Sequence, residues 1–388
     1  MKLHYLMLIP GMIIHNLLTA QPDDTSFRIF KKHTAPVRAL AFSIDGQILA
    51  TGGDDKMIYL WDLKSGELSS GIDNNFAIRA LQLTDENSIL AACGTDIKLM
   101  DMDGRLNRTF KGYTTDIWSM DYNPGVHRLI AGSYAKTIKV WNFDNGDQVM
   151  TLTGHEKSCL PVRINPAGNM AVTGSLDRSV RLWNLESGME LKKLGIHTGN
   201  IFGVDFHPSG KYVVSASADK TIRLWSVETG KVIRTFAGHE GAVFNVRFSA
   251  DGNHLLSCGS DKTIVLWETA TGKELHVFEG HEATVNAVRF SNDGQSFASA
   301  SDDHTVRIWK LEKKYYVEPY FGNDLEKAMK GSPLFGPRKT DETKQAYASR
   351  EQEAKGFLDK LYEKYYVEYL NMIKKIDLEK TSDKPEKP

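Results

Sequence analysis

Five sets of side chains in this 388-residue chain combine the groups that nucleophilic acyl transfer uses. They are His33, Thr51 and Asp55; His155, Thr173 and Asp177; His197, Ser215 and Asp219; His239, Ser257 and Asp261; and His281, Ser299 and Asp303. Each offers a hydroxyl, an imidazole to take its proton and a carboxylate to orient the imidazole. A tryptophan closes each set, at Trp61, Trp183, Trp225, Trp267 and Trp309, with the histidine 28, the hydroxyl 10 and the aspartate 6 residues before it. Five copies at one spacing read as scaffolding rather than as five active sites. A buried carboxylate only accepts hydrogen bonds, and a hydroxyl, an imidazole and an indole N–H supply donors for a connected network. Losing one member strands buried groups at about 1–3 kcal/mol each; losing all the polar members together costs much less.

Two degenerate copies fit that reading. In one, Tyr113, Ala131 and Ala135 replace the three polar groups and Trp141 remains. In the other, Asn74, Ala92 and Met100 stand at the histidine, hydroxyl and tryptophan places, Asp96 is kept, and a turn is shorter by two residues. No Gly-rich phosphate loop, His-x-x-x-His pair or nucleophile elbow accompanies the sets. Cys93, Cys159 and Cys258 show neither zinc spacing nor a disulfide framework. No cofactor or metal is called for. A formal net charge of −1 gives no reason to expect a nucleic-acid partner.

The elements that hold these groups repeat. From Trp141 onward the tryptophans recur every 42 residues, and the chain before them has room for two more copies, seven in all. Within a copy the pattern is β: Ala242–Ser249 is apolar-rich, Asp251-Gly252 a turn, and "HLLSCGS", "TIVLWET" and "LHVFEG" three further strands. Four short strands cannot bury a core alone, whereas radially stacked copies can.

The repeated histidine, aspartate and tryptophan places, with "WDL" at Trp61 and "WNL" at Trp183, resemble the WD40 repeat family over about Phe27–Leu311. The resemblance implies an all-β fold: a seven-bladed propeller of four-stranded antiparallel blades. "FRIFKKH" at Phe27 matches "VIRTFAGH" at Val232, and the last copy stops after its third strand, so the N-terminal strand is expected to complete the last blade. The resemblance also implies that the polar sets are structural tetrads and that partners sit over the central channel. The family's ring positions there lie three and five residues after the blade histidine and one before the blade aspartate. They fall on Arg38, Asp54, Arg79, Trp118, Tyr134, Leu160, Leu176, Phe202, Phe244, Asn286 and Asp302, among others. Trp118, Tyr134, Leu160, Leu176, Phe202 and Phe244 would form an apolar crescent. Arg38 and Arg79 would flank it, with Asp54 and Asp302 on the far side. Exposed aromatics beside arginine have the composition of interface hot spots. The competing reading is that these rings fold inward and plug the channel. A protein or peptide partner is therefore expected; sugar or small-molecule binding on Trp118, Tyr134 and Phe202 is the alternative.

The flanks differ in character. Residues 1–20 have a positive start, an apolar run and a small residue at Ala20, the layout of a secretory signal peptide, so secretion or a periplasmic location is expected, with a cytoplasmic location as the alternative. The propeller is expected over 21–311 and a charged strap over 312–341. A helical extension is expected over 342–379, with Leu358, Leu361, Tyr365, Tyr369, Met372 and Ile376 on one side, and a disordered tail over 380–388. Phe335-Gly336-Pro337, Glu342-Thr343 and Tyr347 resemble tails of bacterial secreted proteins.

Overall fold

The computed structural model describes residues 27–84, 88–336 and 338–376. The expected signal peptide and the expected disordered tail lie outside the described residues. The chain divides into two compact units, a β unit over Phe27–Leu311 and a helical unit over Glu312–Lys375.

The β unit is a succession of four-stranded antiparallel sheets. In the first, Val37–Phe42, Ile48–Gly53, Met57–Asp62 and Leu68–Asp73 pair in sequence order. The sheet of residues 117–152 touches that of residues 159–196 through one backbone pair, Ser133 with Cys159. In the last sheet Val285–Phe290, Ser296–Ser301 and Thr305–Lys310 are joined by Phe27–Lys31, with Phe30 opposite Val306. The first strand of each sheet packs against the first strand of the next, and Val37–Phe42 also packs against Val285–Phe290. These are called inner strands below.

Alternate residues of a strand fill the gaps to opposite neighbouring sheets, so strands such as Tyr212–Ser217 are buried at every position. Tyr212, Val214, Leu224 and Phe236 of one sheet, for example, pack with Val246, Phe248, Leu255 and Trp267 of the next. Trp141, Trp183, Trp225 and Trp267 are all but fully buried. No sheet could hide both apolar faces alone, so stacking is what makes these short strands stable.

Helix α1 spans Lys313–Lys330, so the segment expected as a strap is helical over most of its length. Pro319 and Gly322 read as helix breakers in the sequence. Burial of Tyr315, Tyr316, Val317 and Leu325 offsets that cost, because α1 packs on helix α2, Lys344–Ile373. The α1–α2 seam is aromatic: Phe321 stacks on Tyr365 with centroids 5.0 Å apart, and Tyr316 meets Tyr366 at 5.6 Å and Tyr369 at 5.8 Å. Thr343 caps α2 by accepting from the Ala346 amide at 3.1 Å. No helix among the described residues is long and apolar enough to cross a membrane.

Candidate functional site

The five polar sets assemble as single chains of hydrogen bonds. In the set of His239, Trp267 Nε1 donates to Ser257 Oγ at 2.8 Å, Ser257 Oγ lies 2.7 Å from His239 Nε2, and His239 Nδ1 lies 2.7 Å from Asp261 Oδ2. The sets of His33, His155, His197 and His281 repeat this geometry. The donor inventory orients it: the indole N–H can only donate, so the hydroxyl donates onward to Nε2 and Nδ1–H donates to the carboxylate. Burial lowers the pKa of His33, His197 and His281, which keeps the imidazole neutral as that chain requires. Burial alone would raise the Asp177 carboxyl. Hydrogen bonds from His155, Ser179 and the amides of Ser179 and Glu156 outweigh it and hold Asp177 far below the usual carboxylate range. Asp219, Asp261 and Asp303 are held down by the same kind of contest. Donor, base and acid thus stand as in a hydrolase triad, yet Thr51, Thr173, Ser215, Ser257 and Ser299 are 0% exposed and each hydroxyl is covered by an indole. No substrate carbonyl can reach them. The aspartates instead pin a turn: Lys56, Arg178, Lys220, Lys262 and His304, one residue after each, all have φ near +70°. The carboxylate accepts the next amide and holds that strained residue in place.

The degenerate copies solve the same problem differently. The Tyr113 hydroxyl donates to the Ala131 carbonyl at 2.6 Å and accepts from the Lys139 amide at 2.9 Å, and Trp141 Nε1 turns to the Lys111 carbonyl. One phenol thus replaces histidine, hydroxyl and acid. In the other copy Lys98 Nζ donates to Asn74 Oδ1 at 3.0 Å. Its hydroxyl place is Ala91, not Ala92. Ile89 pairs with Met100 as Leu49 pairs with Trp61, so the residue two further on is Ala91, and the shortened Gly94-Thr95 turn accounts for the slip.

Seven of the eleven named ring residues, Arg38, Arg79, Trp118, Phe202, Phe244, Asn286 and Asp302, line a central cavity of about 580 Å³; Asp54 and Tyr134 lie beside it without lining it. One side of the cavity mouth is aromatic. Phe202 and Phe244 pack with centroids 5.0 Å apart, and Trp118 meets the exposed Tyr134 edge-on at 5.8 Å. The other side is a closed ion network, and here the expected layout is corrected. Arg38 does not face Asp54 and Asp302 across the mouth but binds both, at 2.7 Å each, and also Asn286 Oδ1 at 3.0 Å. Arg79 pairs with Asp54 at 3.0 Å and lies over the Trp118 ring, 5.9 Å from its centroid. The four charges cancel within the network. A second correction concerns Leu160, which is only 2% exposed and does not line the cavity. Its strand lies between those of Trp118 and Phe202, so the shorter side chain is covered by larger neighbours, and Pro161 lines the wall in its place. Leu176 is half-buried and does not line the cavity. Phe76, 55% exposed at the turn before the inner strand Ile78–Leu83, escaped the ring positions altogether.

A second tier, unmarked in the sequence reading, lies deeper in the cavity: Gln82, Asp121, Arg163, Asp205, Arg247 and Arg289. Each is the fifth residue of its inner strand, whereas Arg38, Arg79, Trp118, Phe202, Phe244 and Asn286 at the mouth are the second. Simple alternation puts positions two and five on opposite faces. Every inner strand, however, has a register break between its first and third, or first and fourth, residues. That bulge shifts the alternation and brings both positions to the lumen. The tier stitches inner strands whose edges otherwise lack ladder partners. Gln82 exchanges two 3.0 Å bonds with the Tyr122 backbone. Asp121 accepts from the Ile164 amide at 2.8 Å and Asp205 from the Phe248 amide at 2.9 Å. Enclosure raises the Asp121 carboxyl and pushes Asp205 up to about 6, with Arg163 opposing in both cases.

Comparison with known proteins matches residues 24–62, 104–142, 146–184, 188–226, 230–268 and 272–310 to the WD40 family, described as "WD domain, G-beta repeat". The stretch it leaves out holds the copy without its histidine, hydroxyl and tryptophan. Similar proteins include protein tipD of Dictyostelium discoideum, 27% identical over 118 residues, 29% of this chain and 19% of that protein. Nuclear distribution protein nudF 1 of Talaromyces marneffei is 28% identical over 134 residues, 32% of this chain and 29% of that protein. Small ribosomal subunit protein RACK1y of Oryza sativa subsp. japonica is 30% identical over 118 residues, 28% of this chain and 35% of that protein. Each match thus spans between 19% and 35% of the relative's own length. With repeats matched over most of Phe27–Leu311, four-stranded antiparallel sheets beneath them and five buried His–hydroxyl–Asp–Trp chains, the protein belongs to the WD40 repeat family.

Proposed function

We propose that the β unit is a seven-bladed propeller closed by the strand Phe27–Lys31, and that it is a binding scaffold rather than an enzyme. Its partner is a protein or peptide seated over the channel mouth on Trp118, Tyr134, Phe202 and Phe244. The observation that carries this reading is the division of the mouth: the charges on one side are balanced internally, while the other side carries two aromatic pairs, with Trp118, Phe202 and Phe244 half-buried at the cavity and Tyr134 exposed. Apolar rings beside a neutralised polar rim gain from burial without an uncompensated desolvation cost. Leu160 is not part of the surface, and Arg38 acts as a brace rather than as a contact for a partner's acid.

Quantitative affinity capture with the wild type and a Trp118→Ala/Phe244→Ala variant of verified fold tests the reading. Loss of a defined set of partners in the variant supports it, and identical capture contradicts it. The edge-on Trp118–Tyr134 pair also favours a second reading, stacking on a sugar face; glycan-array binding lost in Trp118→Ala would select it. Secretion through residues 1–20 is part of the proposal. N-terminal sequencing of the native protein tests it: a start near residue 21 supports export, and an intact Met1 on protein from the cytosolic fraction overturns it.

A further inference from the structure

The deeper tier has one cation that the fold does not use. Asp121, Asp205 and Gln82 each bind the main chain of the next inner strand. Arg163 donates to the Met120 and Val162 carbonyls, and Arg247 to those of Val204 and Val246. Arg289 holds the equivalent register place in Val285–Phe290. Yet among the described residues no acceptor lies within hydrogen-bond distance of its guanidinium and no carboxylate within ion-pair distance. Arg163 and Arg247 reach back to the preceding inner strand, and the equivalent acceptor for Arg289, the Val246 carbonyl, accepts from Arg247 instead. Arg289 is half-buried and is one of the residues that line the cavity.

Its charge is nevertheless central. Arg163 Nε lies 3.8 Å from Asp205 Oδ1, and Asp121, Arg163, Asp205 and Arg289, from four inner strands, line the same cavity. Arg289 opposes the upward shift of both carboxyls, in keeping with that arrangement. Three arginines against two carboxylates leave this tier net positive. The five small side chains at the third inner-strand positions, Ala39, Ala80, Ser119, Gly203 and Ala287, keep the space open. An arginine needed only for charge balance would sit on one of the carboxylates, as Arg38 does at the mouth.

We propose that the channel binds a phosphate-class oxyanion on Arg289, below and distinct from the aromatic crescent. The planar guanidinium presents two parallel N–H donors to two oxygens of one anion, and the enclosed lumen strengthens the pairing relative to open water. Arg163 shares the added negative charge from the neighbouring wall. Asp205 and Asp121 oppose it and set an upper limit on affinity.

Isothermal titration of the full chain with inorganic phosphate, at constant ionic strength balanced with chloride, tests this. The wild type should show saturable binding at one site. Arg289→Gln should weaken it at least tenfold, and Arg289→Lys should recover part of that loss. Asp205→Asn removes an opposing charge while its amide oxygen can still accept from Phe248, so it should tighten phosphate at least threefold. Absence of saturable phosphate binding to the wild type overturns the proposal whatever the variants do. So does equal affinity in folded Arg289→Gln, or unchanged or weaker binding in Asp205→Asn.

Discussion

Removing the Asp261 carboxylate would leave His239 Nδ1–H, the Glu240 amide and the Thr263 amide without their acceptor and release the strained Lys262 turn. Asp261→Ala should therefore cost about 3 kcal/mol in urea unfolding. The joint change His239→Tyr, Ser257→Ala and Asp261→Ala imitates the Tyr113 copy and should cost clearly less than the sum of the three single losses. A second residue-scale prediction concerns pH. The raised Asp205 means the folded protein binds more protons than the unfolded chain between about pH 4 and 6, so this group makes folding less favourable as pH rises through 6. Buried His33, His197 and His281 act with the opposite sign, since their lowered pKa values favour folding as pH rises. The difference between wild type and Asp205→Asn isolates the carboxylate. Relative to the variant, the wild type should lose about 1 kcal/mol between pH 5 and pH 7; parallel curves would refute this. The tetrads were legible in the sequence because fixed turn lengths preserve their spacing. The network at Arg38 was not, since two of its members come from a sheet about 250 positions away in the chain.

At the scale of elements, strand positions were readable and their facing was not. Alternation fails at the bulge of each inner strand, which hid the whole arginine–aspartate tier, and a Gly94-Thr95 turn one residue shorter than its counterpart displaced Ala91 by one place. Helix α1 was hidden by Pro319 and Gly322, because local propensity is weak against the burial that a partner helix provides. The connection between α1 and α2 depends on Arg350. Its guanidinium holds both Glu342 oxygens at 2.8 Å and the Leu334 and Gly336 carbonyls at 3.0 and 2.7 Å. The hydrogen bond from Arg350 is the main cause that lowers the Glu342 carboxyl to about 2. Arg350→Ala should speed amide exchange across residues 331–343 by at least tenfold while the strands of the β unit keep their protection. Unchanged exchange in the connection would show that Arg350 is not its anchor.

Across the whole molecule, the proposed scaffold rests on two features: the pairing of the first strand with the last sheet, and the asymmetry of the channel mouth. Deleting residues 27–31 would strip Thr305–Lys310 of one of its two partners and expose an open edge. That truncation should lower the melting temperature and produce concentration-dependent association in light scattering. A photo-crosslinking amino acid tests the central claim most directly when placed at Phe244 and, as a control, at Met189, which is 68% exposed and does not line the cavity. A defined protein adduct from Phe244 in native cells, and none from Met189, is the expected result. Adducts from Met189 with none from Phe244 would contradict it.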